Sequence, residues 1–162
     1  MGTTTPIENA LFDLKDFVQA NIGTYLAAIE TEKGDGISLP VFAVCKVGFI
    51  DLFSQRNYPA VCFVPDNTDI EPPSREEDID IAVDMVFALT SSDPENPETE
   101  LTKKQMRYAD AIRALIASDN NLTGKVSLAE TRNADFFPAD PNNPKINLTI
   151  MRIEIITEES IP

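Results

Sequence analysis

Asp78-Ile79-Asp80-Ile81-Ala82-Val83-Asp84-Met85-Val86-Phe87-Ala88-Leu89 decides the fold class of this chain. Ile79, Ile81, Val83, Met85, Phe87 and Leu89 alternate with Asp78, Asp80, Ala82, Asp84, Val86 and Ala88. Successive side chains of a strand point to opposite faces, so this period of two describes one strand with a dry face and a wet one. The wet row is acidic at its start and apolar at its end. Its far end therefore needs cover from another element or another chain. A sheet wet on one face carries its helices on the other.

Upstream, Ile7, Ala10, Leu11, Leu14, Phe17, Val18, Ile22, Tyr25, Leu26 and Ile29 recur at spacings of three and four. That is the buried stripe of a long helix. Thr5 as cap, Pro6 in the first turn and Glu8 three residues after the cap mark its start, and Lys33-Gly34-Asp35-Gly36 stops it, so it spans about residues 6–32. Residues 37–58 show no clean period and read as a long connection holding one short strand. Ala60–Val64 is a strand bracketed by Pro59 and Pro65. Downstream, Leu101, Tyr108, Ala109, Ile112, Leu115 and Ile116 make a second helical stripe. Thr102 with Gln105, or Thr99, caps it, and Lys103, Lys104, Arg107 and Arg113 fall off it. A strand from Lys125 to Thr131 follows, then a loop with three prolines, then a strand from Lys145 to Thr157. In that last strand the alternation shifts from Ile146, Leu148, Ile150 to Met151, Ile153, Ile155, the mark of a β-bulge. The expected fold is α+β. It is a two-layer sandwich in which a mainly antiparallel sheet carries two helices on one face.

The chain has 162 residues, 43% of them apolar and 25% charged, which fits one domain over residues 1–162. The formal charge is −14, and residues 65–100 hold 12 acids against Arg75 alone. Such a charge disfavours free nucleic acid and anionic membrane as partners. The sequence contains no His, so Ser-His and Cys-His nucleophiles and His-ligated metals are excluded. Two cysteines are too few for a disulfide framework. Cys45 and Cys62, each among apolar neighbours, read as buried thiols. No apolar run approaches the roughly 20 residues that span a membrane. The first residues lack a basic region followed by an apolar one, so no signal peptide is expected.

The acidic row Asp78, Asp80 and Asp84 and the basic row Lys103, Lys104 and Arg107 are the candidate functional side chains. Carboxylates two residues apart on a strand sit about 7 Å from one another and are able to hold a divalent ion. Nothing else in the sequence supplies the further ligands. The two rows read instead as subunit contacts of opposite sign, or as a solvated strand face and local ion pairs.

Asn57-Tyr58-Pro59-Ala60-Val61, the long alternating strand, then Tyr108-Ala109-Asp110-Ala111-Ile112-Arg113-Ala114-Leu115-Ile116, leading to Leu122-Thr123-Gly124 and a final strand, resemble the small tail-terminator and tail-completion proteins of long-tailed bacteriophages. The resemblance follows the order of elements through most of the chain. It implies a non-enzymatic subunit, without cofactor or metal, that forms a ring, typically hexameric, at the head-proximal end of a phage or prophage tail. Its implied partners are copies of itself, the tail-tube protein and the head connector. Its implied location is the bacterial cytoplasm during assembly and the virion tail afterwards. Ring closure needs two different patches on each subunit. Two other readings remain: a monomeric acidic adaptor or inhibitor of a basic protein, and a divalent-metal-dependent enzyme using Asp78, Asp80 and Asp84.

Overall fold

The Asp78–Leu89 stretch lies inside β3 (Glu76–Thr90), the middle strand of a five-stranded sheet. The structure, a computed structural model, describes residues 5–70 and 76–160, and the backbone alone at 69, 70, 76–78 and 158–160. The elements run α1 (Pro6–Lys33), β1 (Val44–Val47), β2 (Ala60–Ile70), β3, α2 (Pro97–Ser118), β4 (Leu128–Phe136) and β5 (Ile146–Ser160). The strand order is β1-β2-β3-β5-β4. Only β1 and β2 run parallel; every other pair is antiparallel. Both helices pack on one face, α1 toward β1 and α2 toward β4, in the expected two-layer α+β arrangement.

The core is built from the periods that predicted it. Leu14, Val18, Ile22 and Leu26 of α1 and Ile112, Leu115 and Ile116 of α2 meet Ile81, Val83, Met85 and Phe87 of β3. Each such side chain contributes about 1.5–3 kcal/mol when fully buried. Phe42, Phe87 and Tyr108 form an aromatic cluster with centroids 5.6 to 6.1 Å apart. The Tyr108 hydroxyl donates to the Pro40 carbonyl, tying the α1–β1 connection to α2. Gly34 ends α1 in the left-handed region at φ 58°, and its N–H donates to Glu30 O. Gly23 sits where Val41 crosses the helix, and a Cβ there would lie 3.2 Å from Val41 Cγ1.

The 37–58 connection contains the one short strand expected there, β1. A parallel pair needs a crossover. Here the crossover is the 48–59 segment, which passes over the outer face of the sheet. Leu52 is buried there with Ala60, Cys62 and Ala88, and Ile50, Tyr58, Val86 and Leu148 pack around them. The apolar end of the wet row of β3 is thus covered by the chain's own connection. Tyr58 holds the segment down by donating to Leu52 O at 2.7 Å.

Four boundaries depart from the sequence reading. Pro65 does not end β2. The Phe63 carbonyl accepts from Gly48 N on the β1 side, and alternate residues point the same way. Pro65 therefore turns its missing donor toward an edge that β1 no longer occupies, and β2 continues past a register shift between Pro65 and Asn67. The expected bulge in the last strand is absent, since β3 and β5 pair without a shift from Glu76 to Thr90. Ile146, Leu148 and Ile150 line the outer face of one straight strand, and Met151, Ile153 and Ile155 its core face. The irregularity falls on the partner strand β4, between Thr131 and Asn133, and lets β4 run to Phe136. Finally, α2 starts at Pro97 behind Asn96, ahead of the expected Thr99 and Thr102 caps. Thr102 donates within the helix to Glu98 O instead.

Candidate functional site

β3 places Asp80 and Asp84 on the outer face of the sheet, opposite the helix layer. The Asp78 side chain lies outside the described residues, as do residues 71–75 of the acidic segment. The outer face beyond the 48–59 cover carries ion pairs set side by side, with acids in excess. Arg152 of β5 stands directly across from Asp84. Its guanidinium reaches Asp84 Oδ1 at 3.1 Å and Asp66 Oδ2 at 2.8 Å. Asp66 is the extra residue of the β2 bulge. Arg132 is the extra residue of the β4 bulge, and it contacts Glu154 at 2.5 Å and Glu130 at 3.2 Å. A bulge re-aims a side chain, and both bulges here bring a charge to the same face. Arg132 first, and then a hydrogen bond with Asp80, hold the Glu154 carboxyl below the usual carboxylate range. Asp66, Asp80, Asp84, Glu130 and Glu154 thus surround two arginines.

The basic row lies in the other layer and is divided. Lys103 is exposed. Lys104 is buried, donates to Thr90 O at 2.9 Å and pairs with Glu100 at 3.0 Å. Arg107 is buried and forks onto Asp35 at 3.0 and 2.6 Å. The expectation that Lys104 and Arg107 fall off the buried side of the helix is therefore corrected. Residues 35–40 and 91–93 pack over the first half of α2 and widen its buried surface, and each base has an acid from these neighbours or from the helix. Glu100 also accepts from the Ser91 hydroxyl and Asp93 N, each at 2.9 Å. The two proposed rows do not meet within one chain, and two of the three bases are already neutralised internally.

A polar recess of about 360 Å³ lies between residues 35–38 and the start of α2, lined by Asp35, Ser92, Asp93, Glu100 and Lys103. Its carboxylates at 35 and 100 are committed to Arg107 and Lys104. Among the described residues no three acidic or cysteine side chains converge to hold a metal ion. Cys45 and Cys62 are free and sit in neighbouring strands facing opposite layers. Burial pushes the Cys45 thiol up to about 11 and raises Cys62 as well, so neither is a ready nucleophile at neutral pH. No described helix is long and apolar enough to cross a membrane.

Sequence reasoning missed Arg132, Arg152 and Asp66 as members of the charged face. The signal was present for Arg152, which shares a row with Ile150 and Glu154 and alternates with Met151 and Ile153. It was absent for Arg132 and Asp66, whose placement depends on bulges. Comparison with protein-family models and with curated proteins finds no match for this chain.

Proposed function

We propose that this chain is a non-enzymatic tail-completion subunit, which joins copies of itself into a ring, typically hexameric, at the head-proximal end of a phage or prophage tail tube. It meets the tube on one side of the ring and the head connector on the other. The observation that carries the reading is the character of the outer sheet face. Its charges pair laterally in rows across four strands, and the recess they border, about 270 Å³ between Asp84, Asn133, Asp135 and Arg152, has its carboxylate at 84 committed to Arg152. Such a face suits apposition to another protein surface better than chemistry on a small molecule. Two further features support it. Asn57–Val61 forms the anchor that turns the 48–59 cover into β2. Tyr108–Gly124 forms the second half of α2 and a tight turn in which Leu122, Thr123 and Gly124 all take positive φ. The stretches behind the resemblance to tail-completion proteins thus occupy the joints of this fold.

An excess of acid on the outer face favours a second reading, the acidic adaptor that blocks a basic protein. Native mass by light scattering over a wide concentration range, with and without magnesium, and electron micrographs of the same samples separate the two. Closed rings are the expected result. A strict monomer that basic proteins capture in a salt-sensitive way overturns the assembly reading.

A further inference from the structure

Lys33-Gly34-Asp35-Gly36 ends α1, and it holds the only Asp-Gly pair of the sequence. That pair has a chemistry of its own. Glycine carries no side chain to shield its backbone nitrogen, so this nitrogen is able to close on the carboxyl of the aspartate before it. Both residues are exposed, Gly36 takes φ 79°, and a Cβ placed there would meet nothing within 4 Å. Among the described residues the Gly36 N–H has no acceptor. Both residues line the polar recess beside α2, so water reaches the peptide bond between them.

The carboxyl, in contrast, is held. Arg107 Nη1 donates to Asp35 Oδ1 at 3.0 Å and Nη2 donates to Oδ2 at 2.6 Å. Ile37 N donates to Oδ1 at 3.3 Å. Turning Cγ toward Gly36 N breaks this fork. The fork also favours the ionised form, whereas the neutral acid is the form that reacts, because its leaving group is water. The rest of the connection is fastened to both helices. Tyr108 donates to Pro40 O, and Leu39 N donates to Glu30 Oε1 at 3.2 Å.

We propose that Asp35–Gly36 is a self-modification site, which converts to isoaspartate at a rate set by how often the Arg107 fork opens. Gly36 N attacks Asp35 Cγ. Its proton and the carboxyl hydroxyl leave together as water, and a cyclic imide forms. Hydrolysis returns one water to the ring. Opening at Cγ regenerates aspartate. Opening at the main-chain carbonyl gives isoaspartate, whose chain runs through Cβ and Cγ and whose free carboxylate sits on Cα. No oxidant or cofactor is needed. The conversion is a latch. The product adds a methylene to the main chain and shortens the side chain by one carbon, so the fork does not re-form. Arg107, 8% exposed, is then a buried charge without its partner.

The test follows the tryptic peptide Gly34–Lys46 after incubation of the full chain at neutral pH and physiological temperature. Its aspartyl and isoaspartyl forms have one mass and separate by chromatography, and fragmentation of the backbone tells them apart. Wild type unfolded in urea should convert steadily, and folded wild type at least about tenfold more slowly, because protection follows the population of the open form. Folded Arg107→Gln should convert at close to the unfolded rate. Lys104→Ala removes the other buried base of α2 and leaves the fork, so it should convert at the folded wild-type rate. Circular dichroism checks that each variant folds. If Arg107→Gln does not fold, Arg107→Lys takes its place, keeping the charge without the fork, and should convert faster than wild type. Unfolded wild type that forms no isoaspartate overturns the site. Folded and unfolded wild type converting alike overturn the guard, as does an Arg107 variant as slow as wild type. Lys104→Ala as fast as Arg107→Gln assigns the protection to overall stability and overturns the role of the fork.

Discussion

Arg107 and Lys104 are buried because the chain brings an acid to each of them. Asp35 sits just beyond the cap of α1, and the fork of Arg107 holds its carboxyl at about 2, against 3.8 for the free group. A carboxyl whose folded-state pKa is depressed stabilises the fold above its unfolded pKa. That contribution is lost as pH falls through the folded value. Stability should therefore decline between about pH 4 and pH 2 through Asp35. In Asp35→Asn the slope of stability against pH over that window should flatten, as read from urea midpoints at several pH values. Lys104 makes a different case, because its partner Glu100 is buried too. Lys104→Ala leaves that carboxylate with only the 91–93 loop donors and should cost about 2–3 kcal/mol in chemical denaturation. Lys104→Met combined with Glu100→Gln removes both charges and should cost less than Lys104→Ala alone. A double variant no more stable than the single would place the energy in the lysine's own bonds to Thr90 O and Glu100, because Met keeps the apolar stem. Residue type alone read both bases as surface groups. The Glu100–Lys104 spacing was legible as a helical pair, but nothing local to Arg107 points to Asp35, which lies 72 positions away.

At the scale of elements, the 48–59 segment does work that a helix does in most parallel crossovers. It covers the apolar end of the outer face through Leu52 and is tied by Tyr58. Leu52→Ala should destabilise the chain by about 2–4 kcal/mol, in line with buried Leu truncations. It should also expose Cys62, which lies beneath this cover and is inaccessible. Thiol labelling read by mass spectrometry should find Cys62 protected in wild type and modified in Leu52→Ala. Cys62 that stays protected would show that the cover does not depend on Leu52. The legibility of each element follows its number of wet faces. β3 and both helices have one, so their periods of two and 3.6 were plain. β5 is apolar on its outer face over Ile146–Ile150, where the crossover covers it and buried Asn147 and Thr149 face the core, and apolar on its core face from Met151 to Ile155. A row on each face then looked like one row changing phase. The 37–58 connection has no period because it follows the surface of the sheet and not a lattice of its own. The apolar groove between the first turns of α1 (Ile7, Leu11, Phe12) and the end of β1 (Val47, Gly48) was illegible for a related reason: it arises from β1 being shorter than β2, and strand length is decided by partners.

For the whole molecule, the charge of −14 sets the sign of a salt effect that separates the two functional readings. Two copies approaching one another in a ring bring two strongly acidic bodies together. Long-range repulsion dominates outside the contact and is screened with a Debye length of about 10 Å at 0.1 M salt. Apolar surface buried between the copies is not weakened by salt and is strengthened by sulfate. Self-association should therefore tighten as sodium chloride rises from about 20 to 300 mM, and tighten further in sodium sulfate at equal ionic strength. An adaptor that engages a basic protein through Asp66, Asp80, Asp84, Glu130 and Glu154 behaves in the opposite way. Its attraction is screened by the same salt, so its affinity falls over the same range. Sedimentation equilibrium in the two salts gives the sign directly. Association that weakens steadily with ionic strength would mean that opposite charges, and not apolar burial, hold the copies together. Charge would then be the organising force of the assembly.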